Sequence, residues 1–255
     1  MRPWNLDPEE WSNILLKSAS PDAIGGGLKK GTSVPWATTL LNLTENMETL
    51  LDLGSGTGEH SAFLALDGRK TTLTDWSYEN LQFSEKLFTA MGLGGRFLQL
   101  DITAPLPFKE GSFDTVFSCG VFEYFMDEEI RSILKESFRV SRKKVIIMTP
   151  NALAIAYRIG KWHLERTHRW YWGGERPMRT LKPHFDAVNR GRFCEFTVGA
   201  QHALNFLTMR GGKKIQRLLP RLGIKDHPNP VFLKQGYLLV SVGEKAQNNR
   251  SRIRE

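Results

Sequence analysis

Residues 50–58 read Leu-Leu-Asp-Leu-Gly-Ser-Gly-Thr-Gly, and this stretch decides the fold. Leu50, Leu51 and Leu53 around Asp52 make a short buried strand, Gly54, Gly56 and Gly58 follow at alternate positions, and a helical pattern opens at Glu59. Strand, glycine turn and helix in that order build a ligand cradle. Glycine lets backbone approach a ligand where a Cβ would collide, and a helix N-terminus offers unpaired N–H groups. The spacing then narrows the ligand. A dinucleotide fingerprint runs Gly-x-Gly-x-x-Gly, and Glu59 stands where its last glycine belongs.

Downstream, strands and helices alternate. A helix through Leu66 leads to a strand over residues 70–74 that ends at Asp75-Trp76, and Ser77 caps a helix that Gly92, Gly94 and Gly95 terminate near Met91. A third strand, 96–100, ends at Asp101-Ile102. Pro105 and Pro107 break the chain before a fourth, 113–117, whose exit reads Ser118-Cys119-Gly120-Val121-Phe122-Glu123-Tyr124-Phe125. Apolar spacing at Ile130, Ile133, Leu134 and Phe138 predicts an amphipathic helix, and residues 145–148 a fully buried fifth strand closing at Thr149-Pro150-Asn151. Parallel strands joined by right-handed crossovers would put the glycines and the acids on one sheet edge, the C-terminal one, where open α/β sheets bind ligands.

The glycine loop with Asp52 ahead of it, then Asp75, Asp101-Ile102 and the fourth-strand exit, resembles the motif series of class I S-adenosylmethionine-dependent methyltransferases with a type 11-like domain. The resemblance covers residues 48 to about 150, and 190–243 in strand pattern only. It implies an α/β, Rossmann-like, doubly wound seven-stranded sheet, mostly parallel with an antiparallel C-terminal strand pair at residues 193–198 and 236–242. It also implies S-adenosyl-L-methionine as cofactor, held by Asp52, Gly54, Ser55, Gly56, Gly58, Asp75, Trp76, Asp101, Ile102 and Ser118. Asp75 would accept both ribose hydroxyls, hydrogen bonds worth roughly 1.5–3 kcal/mol each for a charged group. Trp76 would pack on the adenine, Asp101 would accept from its amino group, and the fourth-strand exit would border the reacting methyl. Candidate general bases are Glu123, Tyr124, His60 and His184, with no catalytic residue assigned. The Asn/Asp-Pro-Pro-Tyr signature of exocyclic base-amine methylation is absent, and Cys119 reads as a small buried residue.

Around this core, residues 1–47 form an N-terminal cap or extension with Trp4, Trp11 and Trp36, a helix over 8–17 and a hinge-like Gly25-Gly26-Gly27 run. The resemblance implies that residues 48–243 form the methyltransferase domain, with an inserted helical, aromatic and basic segment at about 152–190 that contains Arg169-Trp170-Tyr171-Trp172. Residues 199–235 start helical and turn irregular through Pro228 and Pro230. Residues 244–255 are expected to be a disordered basic tail.

Composition bounds the function. At 255 residues with 40% hydrophobic and 24% charged residues, the chain has ordinary globular usage. Two cysteines cannot build a disulfide framework, and the histidine spacings fit no zinc template. The first eleven residues carry acids where a signal peptide has its apolar segment, and no run approaches a membrane span, so the expectation is a cytoplasmic protein without a membrane partner. The net charge of +8 is divided: residues 1–130 hold 9 Lys/Arg against 19 Asp/Glu, and residues 131–255 hold 26 against 8. The basic half opens a second function class, methylation of RNA or protein, beside the favoured small-molecule acceptor; a non-catalytic cofactor-binding module is a third.

Overall fold

The computed structural model describes residues 7–17, 19–31, 35–208 and 235–246. Strands β1 (Thr49–Leu53), β2 (Lys70–Asp75), β3 (Arg96–Gln99), β4 (Phe113–Cys119), β5 (Ser141–Pro150), β6 (Phe193–Val198) and β7 (Leu238–Glu244) form one seven-stranded sheet. Their order is β3-β2-β1-β4-β5-β7-β6, parallel from β3 to β5. The terminal pair is antiparallel as expected, and its placement is sharper than the expectation. The last strand inserts between β5 and β6 and runs against both.

Both faces of the sheet are covered, which is why β1 and β5 read as nearly unbroken apolar runs. On one face α6 (Asp127–Val140) lays Ile130, Ile133, Leu134 and Phe138 over Leu51, Leu53, Val116 and Ile147. On the other, α3 (Pro35–Leu43) and α4 (Glu59–Leu66) bring Trp36, Leu40 and Leu64 onto Leu50, Phe117, Ile146 and Met148. Ser77 caps α5 (Tyr78–Met91) through the Asn80 amide, and Gly92, at φ 69°, ends it.

Two helices precede this core. In α1 (Pro8–Leu16), Asp7 and Glu10 form a reciprocal capping box, and Ser12 Oγ lies 2.6 Å from Ser77 Oγ, tying α1 to the head of α5. The Gly25-Gly26-Gly27 run is not a hinge. It lies inside α2 (Pro21–Lys29), capped by Ser20, where a Cβ on Gly25 would come within 3.0 Å of Met91 Cγ. Gly25 lets α2 pack closely on α5, and tertiary packing overrides the low helix propensity of the run. Trp4, the segment with Pro228 and Pro230, and the basic tail beyond Ala246 lie outside the described residues.

At the sheet's N-terminal edge, Asp114 staples β1 to β4 and β5. Its Oδ2 accepts from the amides of Glu48 (2.9 Å) and Thr49 (3.1 Å) and from Thr49 Oγ1 (3.2 Å), while Oδ1 lies 3.2 Å from Arg142 Nε. Burial would raise this carboxyl, but the Thr49 and Glu48 amides and Arg142 outweigh it and hold it well below the usual carboxylate range.

Candidate active site

Strand order reverses between β1 and β4, and the crevice above that point holds a cavity of about 260 Å³, the scale of a small-molecule site. Its floor is the glycine loop. The amides of Gly54 and Ser55 both donate to Thr74 O at 2.9 Å, and Ser84 Oγ donates to Gly56 O at 3.1 Å, so β2 and α5 hold the loop open. Gly54 (φ 73°) and Gly56 (φ 55°) occupy left-handed backbone that side chains resist, and a Cβ on Gly54 would strike Val121 Cγ2 at 2.7 Å.

Asp75 closes one side of the loop. Its Oδ2 accepts from Gly56 N (2.9 Å), and its Oδ1 from Ser77 N (3.0 Å) and Asn80 Nδ2 (3.2 Å). Burial pushes its pKa up against those bonds from Ser77, Gly56 and Asn80. Trp76, Leu100, Asp101 and Ile102 continue the wall from Asp75. Asp101 Oδ1 caps its own turn by accepting from the amide (2.8 Å) and hydroxyl (2.7 Å) of Thr103, and the exposed carboxylate also borders the cavity. The set has the chemistry an adenosine needs: apolar surface from Trp76, Leu100 and Ile102, acceptors on Asp75 and Asp101, and the glycine backbone of Gly54 and Gly56 in the same lining. Ser55 Oγ, buried in the same wall without a partner, is a polar group that a ligand would satisfy.

Three residues expected to hold the cofactor stand behind the wall instead. Asp52 is 3% exposed and accepts from Ser61 Oγ at 2.7 Å; burial pushes its carboxyl up to about 7 against that bond. Gly58 opens α4 in left-handed backbone (φ 74°), and a Cβ there would meet Ser84 Oγ at 2.6 Å, so both conformation and packing call for glycine. Ser118 Oγ donates to Leu53 O at 2.7 Å, bracing β4 against the end of β1. The sequence pattern cannot separate a residue that shapes the loop from one that touches the ligand, since both sit at the same strand ends.

The opposite end of the cavity is built from β4's exit, α1 and the segment after α7 (Ile155–Arg166). Trp11 and Leu15 reach it from α1, Glu123, Tyr124 and Phe125 from the turn beyond β4, and Trp172 and Glu175 from the inserted segment. Tyr237, just ahead of β7, completes this wall. Leu15, Glu175 and Tyr237 carry no sequence signal: each arrives from a remote segment through tertiary packing. Of the four candidate bases, His184 lies outside the cavity, 3.9 Å from Asp127. His60 lines it, but its Nε2 accepts from Trp36 Nε1 at 2.8 Å, and burial lowers its pKa, so the neutral ring carries its proton on Nδ1 and is a donor. Tyr124 donates its hydroxyl to Trp172 O at 3.0 Å, and burial, with Glu123 and Glu175 adding to it, drives its pKa up. Glu123 remains. It is 2% exposed, its Oε2 has no hydrogen-bond partner, and burial first and Glu175 second push it well above the usual carboxylate range. Among the described residues there is no cluster with a metal-ligand set.

Comparison with known proteins agrees with this geometry. Residues 50–144 match a family model described as a methyltransferase domain. No curated protein sequence matches the chain. Solved structures do match in fold. The methyltransferase domain of bacterial CtHen1-C is 15% identical with a TM-score of 0.58, over 84% of this chain and 98% of its own. A SAM-dependent methyltransferase from Thermotoga maritima is 16% identical with a TM-score of 0.55, over 82% and 89%. A geranyl diphosphate methyltransferase, solved with GPP and sinefungin, is 12% identical with a TM-score of 0.56, over 83% and 77%. These neighbours share the fold. Residues 50–144 are thus similar to a methyltransferase domain, and the fold around them is the one these solved methyltransferases share. Among the described residues no helix is long and apolar enough to cross a membrane.

Proposed function

We propose that the protein transfers a methyl group from S-adenosyl-L-methionine to a small-molecule acceptor in this cavity, working in the cytoplasm. The observation that carries the acceptor class is the roof. Trp11 and Leu15 from α1 and Trp172 and Glu175 from the inserted segment line the crevice together with the turn beyond β4, narrowing it to the scale of a small molecule. Residues 1–47 are in this reading a cap, and the segment at about 152–190 is a lid. The glycine loop and Asp75 hold the ribose side of the cofactor, and Trp76, Asp101 and Ile102 the adenine side. The cofactor supplies the electrophilic methyl and its leaving group. The chain contributes alignment of the acceptor, exclusion of water by the roof, and a carboxyl at Glu123 to manage a proton.

The described cavity lining has five Asp or Glu side chains and no Lys or Arg, although the chain is basic overall. Polyanion methylation would place cations at the chamber mouth, so this electrostatics favours the small-molecule reading over RNA. Calorimetry with S-adenosylhomocysteine tests the cofactor: one site per chain is expected, and no heat at millimolar ligand ends the proposal. Methyl transfer from radiolabelled cofactor should appear in small-molecule fractions; label found only in RNA or protein would reverse the acceptor assignment.

A further inference from the structure

The acceptor end of the cavity is an aromatic box with buried acids in its wall. Trp11 stands edge-on to Tyr124 with ring centroids 5.0 Å apart, and 6.0 Å from Trp172. Glu123 and Glu175 lie in the same wall, 2% and 8% exposed. Their surroundings differ. Glu175 accepts from the Tyr157 hydroxyl and lies 3.5 Å from Lys161 Nζ. Lys161 itself is held by Glu165 at 3.1 Å, sits 4.0 Å from the Trp170 ring centre and does not line the cavity. Glu123 Oε2 is buried with no such partner. A buried carboxyl oxygen left unanswered costs free energy that a ligand can recover by supplying a donor.

The chemistry that answers both features is a cationic nitrogen. Aromatic faces attract cations, and more strongly when water is excluded, while a carboxylate gives the same cation a charge-assisted hydrogen bond. An alcohol would satisfy at most the hydrogen bond. A carboxylate or phosphate acceptor would meet two carboxyls and no cation among the described lining residues. We propose that the acceptor is an amine that enters as its ammonium ion and sits against Trp11, Tyr124 and Trp172, with Glu123 as counter-ion and proton acceptor.

This rests on the methyltransferase reading above and narrows it to methylation at nitrogen. The ammonium passes one proton to the Glu123 carboxylate, an N–H bond breaking as an O–H bond forms. The freed nitrogen lone pair then forms the new N–C bond as the methyl's C–S bond breaks, its electron pair leaving on sulfur. The products are an N-methylammonium and the thioether. Burial and the nearby Glu175 raise the proton affinity of Glu123, which lets a carboxyl compete for a proton held by an amine.

The test uses the full-length protein saturated with S-adenosylhomocysteine, whose own binding is measured first. Phenethylamine, tyramine and tryptamine are titrated calorimetrically beside the alcohol and the carboxylate built on the same ring. At least one amine should bind tenfold or more tighter than its matched alcohol, and the carboxylates should bind weakest. Glu123→Gln should erase the amine preference, and Glu175→Gln should reduce it, both with S-adenosylhomocysteine affinity retained as evidence of folding. The proposal is overturned if no amine exceeds its alcohol, if a carboxylate binds best, or if the preference survives in Glu123→Gln. It is also overturned if Glu123→Gln weakens S-adenosylmethionine relative to S-adenosylhomocysteine and leaves the amines unaffected, because Glu123 would then serve the sulfonium. Failure of the wild type to bind S-adenosylhomocysteine is a different result: it removes the cofactor reading itself.

Discussion

Strand β4 has a buried acid near each end, and the two live in opposite conditions. Asp114, second residue of the strand, has both oxygens engaged by two amides, a hydroxyl and Arg142, and is held ionised. Glu123, in the turn beyond the strand's end, has an orphan oxygen, and burial and Glu175 raise its proton affinity. The first arrangement is what a carboxylate needs to stabilise a fold; the second costs stability and makes sense only beside a ligand. The N-terminal edge of the sheet is therefore the closed, self-satisfied edge, and the C-terminal edge keeps its polar groups waiting.

That contrast can be broken by substitution. The largest effect belongs to Asp114→Ala, which strands two β1 amides and Arg142 and should lower folding stability by about 3 kcal/mol. Equilibrium urea unfolding measures it, with S-adenosylhomocysteine affinity expected to stay within twofold of wild type. The sign with pH follows from the depressed pKa. The contribution is fully present above the ordinary carboxylate range and fades as pH falls below about 4, so variant and wild type should converge in acid. A variant as stable as wild type at pH 7 would deny the edge its structural role.

Next in size is Asp75→Ala at the other edge. It removes the acceptor of the Gly56 amide as well as the expected ribose contact, and S-adenosylhomocysteine should bind about 10- to 100-fold more weakly by calorimetry. The split between the two variants sharpens the comparison: Asp114→Ala moves the unfolding midpoint and spares the ligand, whereas Asp75→Ala moves the ligand most. If Asp75→Ala lost stability without losing affinity, the C-terminal edge would be as self-contained as the N-terminal one.

The fold was largely legible because its signals are local. Alternation of apolar runs with capped helices located β1 to β5, and Ser77 and Gly92 bounded α5, since caps and turns write themselves into a few adjacent residues. The glycine run of α2 misleads for the same reason: propensity is local, while the helix survives by packing on Met91, which sequence does not display. That Gly54, Gly56, Asp75 and Asp101 would meet at one edge of the sheet was readable from their places at strand ends. Leu15, Glu175 and Tyr237 were not, because nothing in residues 173–175 or in the approach to β7 announces that these segments meet Glu123. The orphan state of Glu123 is legible only in three dimensions.

The smallest expected effect probes that orphan directly through stability. A carboxyl whose folded pKa lies above its unfolded value takes up a proton on folding, so its contribution to stability is lost as pH rises from the ordinary carboxylate range toward the raised value. Cys119, Tyr124, Glu175 and Tyr237 surround the same cavity end, and Lys161 opposes the shift only in part. Glu123→Gln removes the titration while keeping shape and a polar head. It should therefore be more heat-resistant than wild type at pH 8 and equal to it near pH 4, a difference opposite in sign to that of Asp114→Ala, although both differences vanish in acid and grow as pH rises. Thermal melts of the ligand-free protein across pH 4–8 measure it. A Glu123→Gln protein less stable than wild type at pH 8 would mean that Glu123 is an ionised structural acid like Asp114, and the distinction between the two edges would fall with it.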